Sequence, residues 1–140
     1  MKKRPIKGLV DGLSQLGGRF TYLESPGSFP IKIHGTPLLG SKVKMPGDIS
    51  SQFISALLLI APTLKKGLAI SLEGDVVSKP YINMTLSMMK HHGIDCYWKG
   101  SSIIVEPGNY MKNQPLIEQD WSSASYWYAL VALAPEAEIT

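Results

Sequence analysis

The chain has 140 residues, a length that fits one domain, and its 44% apolar and 18% charged residues exclude a disordered chain and predict a packed core. The net charge of +3 comes mostly from scattered single Lys and Arg residues, so there is no basic stripe for duplex nucleic acid and a small anionic ligand fits better. A single cysteine, Cys96, excludes an internal disulfide, and no apolar run reaches the length of a membrane span. A cytoplasmic location away from membranes is therefore expected, with no signal peptide.

Arg4-Pro5-Ile6 predicts the opening of a first helix, because proline is favoured where its missing N–H costs nothing. Ile6, Leu9, Val10, Leu13 and Leu16 keep helical spacing, and Gly17-Gly18 ends the run. Strands are predicted at 20–23 and 30–34, with a Pro26-Gly27 turn between them. A third strand, 42–45, meets Pro46-Gly47 and then a second helix whose residues 53–61 are almost wholly apolar and should be buried on most sides. Asp48 or Ser50 is expected to cap it and Pro62 to stop it. Strand 68–72 follows, and Ser78-Lys79-Pro80-Tyr81 starts a third helix with Ile82, Leu86 and Met89 on its apolar face and Gly93 at its end. Strands are predicted at 94–98 and 102–106, a loop at 109–114, a short strand at 116–118, and a last apolar helix at 122–134 before Pro135.

Two passages recur. Arg4-Pro5 through Gly18 lines up with Lys79-Pro80 through Gly93, and Asp48-Ile49-Ser50-Ser51 lines up with Asp120-Trp121-Ser122-Ser123. A period of about 70–75 residues is too long for a solenoid and suits a small folding unit. The predicted class is α+β, built from repeated β-α-β-α-β-β units. Residues 42–106 make one complete unit, and the flanks make two partial ones. Such a chain reads as a segment of a longer protein.

The repeat sets polar or basic residues at successive helix starts: Arg4, Ser50 to Gln52, and Ser78 to Tyr81. Helix starts carry unpaired N–H groups and partial positive charge. Arg4 can fork onto a carboxylate or phosphate, and the hydroxyls and amide can bond phosphate or sugar-like oxygens. The competing readings are plain caps for Ser50, Ser51 and Ser78, a solvated charge for Arg4, and a core aromatic for Tyr81. Trp121, Tyr126 and Trp127 read as packing residues. His91-His92 and Cys96 lack the further ligands at suitable spacing that a metal site needs. No general acid or base stands out.

Taken together, Arg4-Pro5, Gly47-Asp48-Ile49-Ser50-Ser51-Gln52-Phe53, Val77-Ser78-Lys79-Pro80-Tyr81-Ile82 and Asp120-Trp121-Ser122-Ser123-Ala124-Ser125-Tyr126 resemble the EPSP synthase family over the whole chain. The resemblance implies the enolpyruvyl transferase fold, whose helix starts face a cleft between two domains. It also implies transfer of the enolpyruvyl group of phosphoenolpyruvate to shikimate 3-phosphate, with no metal or organic cofactor, in the shikimate pathway of aromatic amino acid biosynthesis. Glyphosate competes for the phosphoenolpyruvate site in that family.

By motif, Ser50, Ser51, Gln52, Ser78 and Tyr81 are implied contacts of shikimate 3-phosphate, and Arg4 with Gln52 those of phosphoenolpyruvate. No catalytic residue falls in this segment, because the family's Lys-Ser pair and the acid, lysine and arginines of its C-terminal half are missing here. Residues 1–114 correspond to part of the shikimate 3-phosphate domain. Residues 115–140 correspond to the start of the next unit, leading back to the other domain, so residues 119–140 are expected to lack their normal packing partner. The full-length enzyme is expected to be a monomer, and the segment to be inactive and prone to self-association. A stand-alone anion-binding or interaction module without catalysis is the alternative reading.

Overall fold

The computed structural model describes residues 4–114 and 120–139. Helix α1 (Lys7–Gln15) leads to a hairpin of β1 (Arg19–Tyr22) and β2 (Ile31–His34). Then come β3 (Lys42–Pro46), α2 (Ser51–Ile60) with a 3-10 turn at Ala61–Thr63, β4 (Leu68–Glu73), α3 (Lys79–His91), β5 (Cys96–Lys99) and β6 (Ser102–Val105). Helix α4 (Trp121–Leu133) follows. From β3 to β6 the order is β-α-β-α-β-β, the predicted complete unit.

The unit forms a four-stranded sheet in the order β3-β4-β6-β5, with β3 and β4 parallel and the other pairs antiparallel. Strand alternation dictates which face is covered. Val43, Ile70, Ile103 and Trp98 are cross-strand neighbours in one row. Leu68, Val105 and Cys96 form another, and Met45 pairs with Leu72. All of these except the half-buried Trp98 are buried. Against this face pack Ile54, Leu57, Leu58 and Ala61 from the second helix and Ile82, Leu86 and Met89 from α3. Each large side chain removed from water contributes about 1.5–3 kcal/mol, so this layer is the main source of stability. The opposite face carries Lys42, Lys44, Ser71, Ser102 and Lys99, with Ser71 Oγ 3.1 Å from Ser102 Oγ and Lys44 in a solvated pair with Glu73.

Two expectations need correction, and two others hold. The first helix begins at Lys7, not at Arg4-Pro5: Pro5 is bridged to Ser28, and the Ile6 N–H donates to Gly27 O at 2.8 Å. This pairing with the 26–28 turn holds Pro5 as an extended bridge residue, so the helix begins only after Ile6. Helix α2 ends at Ile60 with Ala61 as its C-cap, just before Pro62 as expected, and a 3-10 turn follows. The second helix is covered on most sides as expected, with Leu59, 49% exposed, on its open side. Trp121, Tyr126 and Trp127 are exposed, and α4 has no buried residue, because no other described element covers it. The strand predicted at 116–118 lies outside the described residues.

Candidate functional site

Parallel pairing of β3 with β4 sets the geometry of the site. Each strand leads into a helix, so α2 and α3 start at the same edge of the sheet. The two connecting turns touch through backbone: the Gly47 N–H donates to Glu73 O at 2.7 Å. A Cβ on Gly47 would lie 2.7 Å from Asp75 O, so only glycine lets the turns approach this closely. One turn into each helix, Ser55 Oγ lies 2.7 Å from Thr85 Oγ1. Residues four apart share a helix face, so Ser51 and Tyr81 occupy the preceding turns of the two facing surfaces.

The first helix joins the same rim. Gly8 abuts Ile49 and Phe53, and a Cβ on Gly12 would lie 2.9 Å from Leu57 Cδ1. The matched steps from 8 to 12 and from 53 to 57 mean that α1 and α2 lie alongside with the same sense. Arg4, just ahead of α1 and exposed, therefore falls at the end where Ser51 begins α2.

The expected caps are not made. Ser50 and Ser78 do occupy the N-cap positions, yet neither side chain makes a capping bond, and Asp48 is exposed without a capping role. The side chains of Ser50, Ser51, Gln52, Ser78 and Tyr81 have no hydrogen-bond partner among the described residues. Ser51 and Ser78 are half-buried, Ser50 and Gln52 are exposed, and Tyr81 is 64% exposed, so it is no core aromatic. The amides of Ser51, Gln52 and Lys79 are likewise open at the helix starts, where an anion is favoured. The Lys79 ammonium sits 5.1 Å from the Trp98 ring, and Trp98 Nε1 donates to Asn83 Oδ1 at 2.8 Å. These contacts tie the first turns of α3 to β5.

The remaining candidates have structural roles. Asp120 caps α4, accepting from the amides of Ser122 and Ser123 and from Ser123 Oγ, and these bonds hold its carboxyl below the ordinary carboxylate value. His92 Nδ1 and His91 Nε2 meet the carbonyls of Met111 and Gln114 at 3.0 and 3.2 Å, which fastens loop 108–114 to the end of α3. Among the described residues, no group of three or more His, Cys, Asp or Glu is placed to hold a metal ion. Sequence reasoning missed Gly47, the Ser55–Thr85 pair and the Gly8/Gly12 stripe. The one available signal was the four-residue spacing of glycines on α1, an unfavourable choice for a helix unless something packs closely there.

Fold and rim define the class: a β-α-β-α-β-β unit protein whose helix starts open uncapped toward one edge. A family model for EPSP synthase (3-phosphoshikimate 1-carboxyvinyltransferase) matches residues 1–140. A 3-phosphoshikimate 1-carboxyvinyltransferase of Bacteroides fragilis (strain YCH46) is 46% identical over 140 residues, covering 99% of this chain and 34% of that protein. One from Mannheimia succiniciproducens is 44% identical over 143 residues, covering 100% and 33%. The solved EPSP synthase from Acinetobacter baumannii shares the fold, with a TM-score of 0.63 at 22% identity over 79% of this chain and 24% of that one. The chain belongs to the EPSP synthase family, and it spans about a third of the length of the curated relatives it matches.

Proposed function

We propose that this chain is the substrate-binding part of an enzyme that transfers the enolpyruvyl group of phosphoenolpyruvate to shikimate 3-phosphate. Ser50, Ser51, Gln52, Ser78 and Tyr81 bind shikimate 3-phosphate, and Arg4 with Gln52 reaches phosphoenolpyruvate. Residues 1–114 belong to the shikimate 3-phosphate domain, and 115–140 open the unit that returns to the other domain. The full-length enzyme works as a cytoplasmic monomer, and this segment turns nothing over by itself. The observation that carries the reading is the joined pair of uncapped helix starts. The Gly47–Glu73 backbone bond and the Ser55–Thr85 pair bring two sets of free hydroxyls and amides to one rim, with Arg4 at the end of the neighbouring helix. A phosphate monoester fits such a rim, because charge-assisted bonds to backbone N–H and hydroxyl groups are the strong ones.

The test is a phosphorus NMR titration of the 140-residue chain with shikimate 3-phosphate. A saturable shift is expected, weakened about tenfold or more by Ser51→Ala, since one bond to a charged group contributes about 1.5–3 kcal/mol. A shift that both Ser51→Ala and Ser78→Ala leave unchanged overturns the assignment. Phosphate release from the two substrates by this chain alone would overturn the claim that it lacks turnover.

A further inference from the structure

A second polar surface lies at the other end of α1. The β1–β2 register pairs Arg19 with His34 and Thr21 with Lys32. Directly opposed residues of an antiparallel pair share a face, so Arg19, Thr21, Lys32 and His34 line one side of the hairpin. Thr21 Oγ1 lies 2.9 Å from His34 Nε2, a diagonal bond across that same side. The face holds two cations and an imidazole but no carboxylate. Arg19 and Lys32 have no ion-pair partner among the described residues.

Beside this face is a cavity of about 480 Å³ lined by Ser14, Gly18, Arg19, Phe20, Thr21 and His34. Phe20 alternates to the other side of β1, but its ring folds back on Gly18, where an added Cβ would meet Cε2 at 2.7 Å, and so reaches the edge of the cavity. It is open and lined mainly by polar atoms, so a ligand there is held by its polar contacts more than by enclosure. An unpaired guanidinium selects a planar or tetrahedral oxyanion. Along the nine-residue α1, at 1.5 Å per residue, the cavity stands roughly 15 Å from the helix-start rim.

We propose that this cavity binds a small organic oxyanion carried on a flat ring, with Arg19 and His34 holding the anionic group and Phe20 the ring. The site is separate from the rim and does not depend on the function proposed for it. Thr21 acts as a positioning residue by fixing the imidazole through Nε2.

The test is an amide NMR titration of the 140-residue chain with phenyl phosphate, benzoate and inorganic phosphate as separate probes. Saturable shifts confined to Gly18–Thr21 and His34 are expected for the two ring-bearing probes, with inorganic phosphate about tenfold weaker or more for want of the Phe20 contact. Phenyl phosphate binding tighter than benzoate would identify a phosphate monoester as the ligand class, and the reverse a carboxylate. Arg19→Gln should weaken binding about tenfold or more, and Arg19→Lys should restore part of it. Ser51→Ala should leave these shifts intact while weakening shikimate 3-phosphate binding at the rim, so the two sites fail separately. Shifts that do not saturate, or that survive Arg19→Gln, overturn the proposal.

Discussion

Ser55 Oγ and Thr85 Oγ1 meet at 2.7 Å across the seam between α2 and α3. Thr85 Oγ1 also donates to Tyr81 O at 3.3 Å, so its single proton is committed and Ser55 is the donor to Thr85. The chain from Ser55 to Thr85 to the Tyr81 carbonyl connects one helix to the first turn of the other. It is the only polar side-chain link between the two helices among the described residues. Apolar packing alone tolerates small sliding of one helix past the other, whereas a directional bond fixes the offset.

The first prediction tests that link. Ser55→Ala and Thr85→Val should each destabilise the fold, and a double-mutant cycle in urea should give a coupling of about 0.5–1.5 kcal/mol. If the rim binds shikimate 3-phosphate as proposed, the same variants should weaken that binding, because the offset of Ser51 and Tyr81 is no longer fixed. Strict additivity would mean that the two hydroxyls do not act together.

Gly47 carries the second prediction. Its added Cβ would meet Asp75 O at 2.7 Å, Asp75 C at 3.0 Å and Glu73 O at 3.2 Å. These are backbone atoms, which cannot swing aside as the end of a long side chain does, so Gly47→Ala must part the two turns. Overpacking of this kind costs about 1–3 kcal/mol. Gly35 is the control: nothing lies within 4 Å of its Cβ position and its φ is not positive. Gly35→Ala should be neutral or slightly stabilising through the unfolded chain. Thermal melts decide it, and equal Tm values for the two variants would contradict the close contact.

How much was legible follows from the range of the forces involved. Ile82, Leu86 and Met89 could be read from helical spacing, and all three are buried. The element order from β3 to β6 was legible because apolar runs and Gly-Pro punctuation are local signals. The sheet order β3-β4-β6-β5 was not, since pairing β4 with β6 depends on contacts distant in sequence. Capping was misjudged at Ser50 and Ser78, because a serine at a helix start favours a cap locally whatever the tertiary context. A cap that the sequence reading did not name forms at Asp120, where the carboxylate accepts the amides of α4. Gly8 and Gly12 look like flaws in an isolated helix and make sense only once the neighbouring helix lies against them. The rim residues were named from the repeated helix starts and given substrate roles by family likeness, while their convergence rests on Gly47, which by itself signals only a turn.

Cys96 supplies the third prediction. Its thiol is fully buried, donates weakly to Leu86 O at 3.6 Å, and is pushed above the ordinary thiol value by that burial. The thiolate is the reactive form, so both access and ionisation are denied. Labelling by a neutral thiol reagent at pH 8 should be about a thousandfold or more slower in the native chain than in urea, because it requires opening of the packed unit. Labelling at the unfolded rate would show that α3 does not stay closed over the sheet.

The fourth prediction concerns acid. Helix α4 has 13 residues and none is buried, so its order depends on local interactions that are marginal at this length. The Asp120 carboxylate is its cap, lying 3.0 Å from Ser122 N, 3.2 Å from Ser123 N and 2.6 Å from Ser123 Oγ. The Ser123 side-chain bond is the main cause of the lowered carboxyl value, followed by the Ser123 backbone bond. A carboxyl lowered on folding contributes stability above its unfolded value and loses that contribution as pH falls through the lower, folded one. Acidification below the ordinary carboxylate range should therefore fray α4 while the β3–β6 unit, whose core holds no buried polar or charged residue, persists. Amide shifts of Ser122 and Ser123 report the fraying, and those of Ile70 and Ile103 report the unit. Asp120→Asn keeps an acceptor without a titrating proton and should flatten the acid response of α4, whereas Asp120→Ala should lower its helicity at every pH. An acid response of Ser122 and Ser123 that persists in Asp120→Asn would assign the effect to another group.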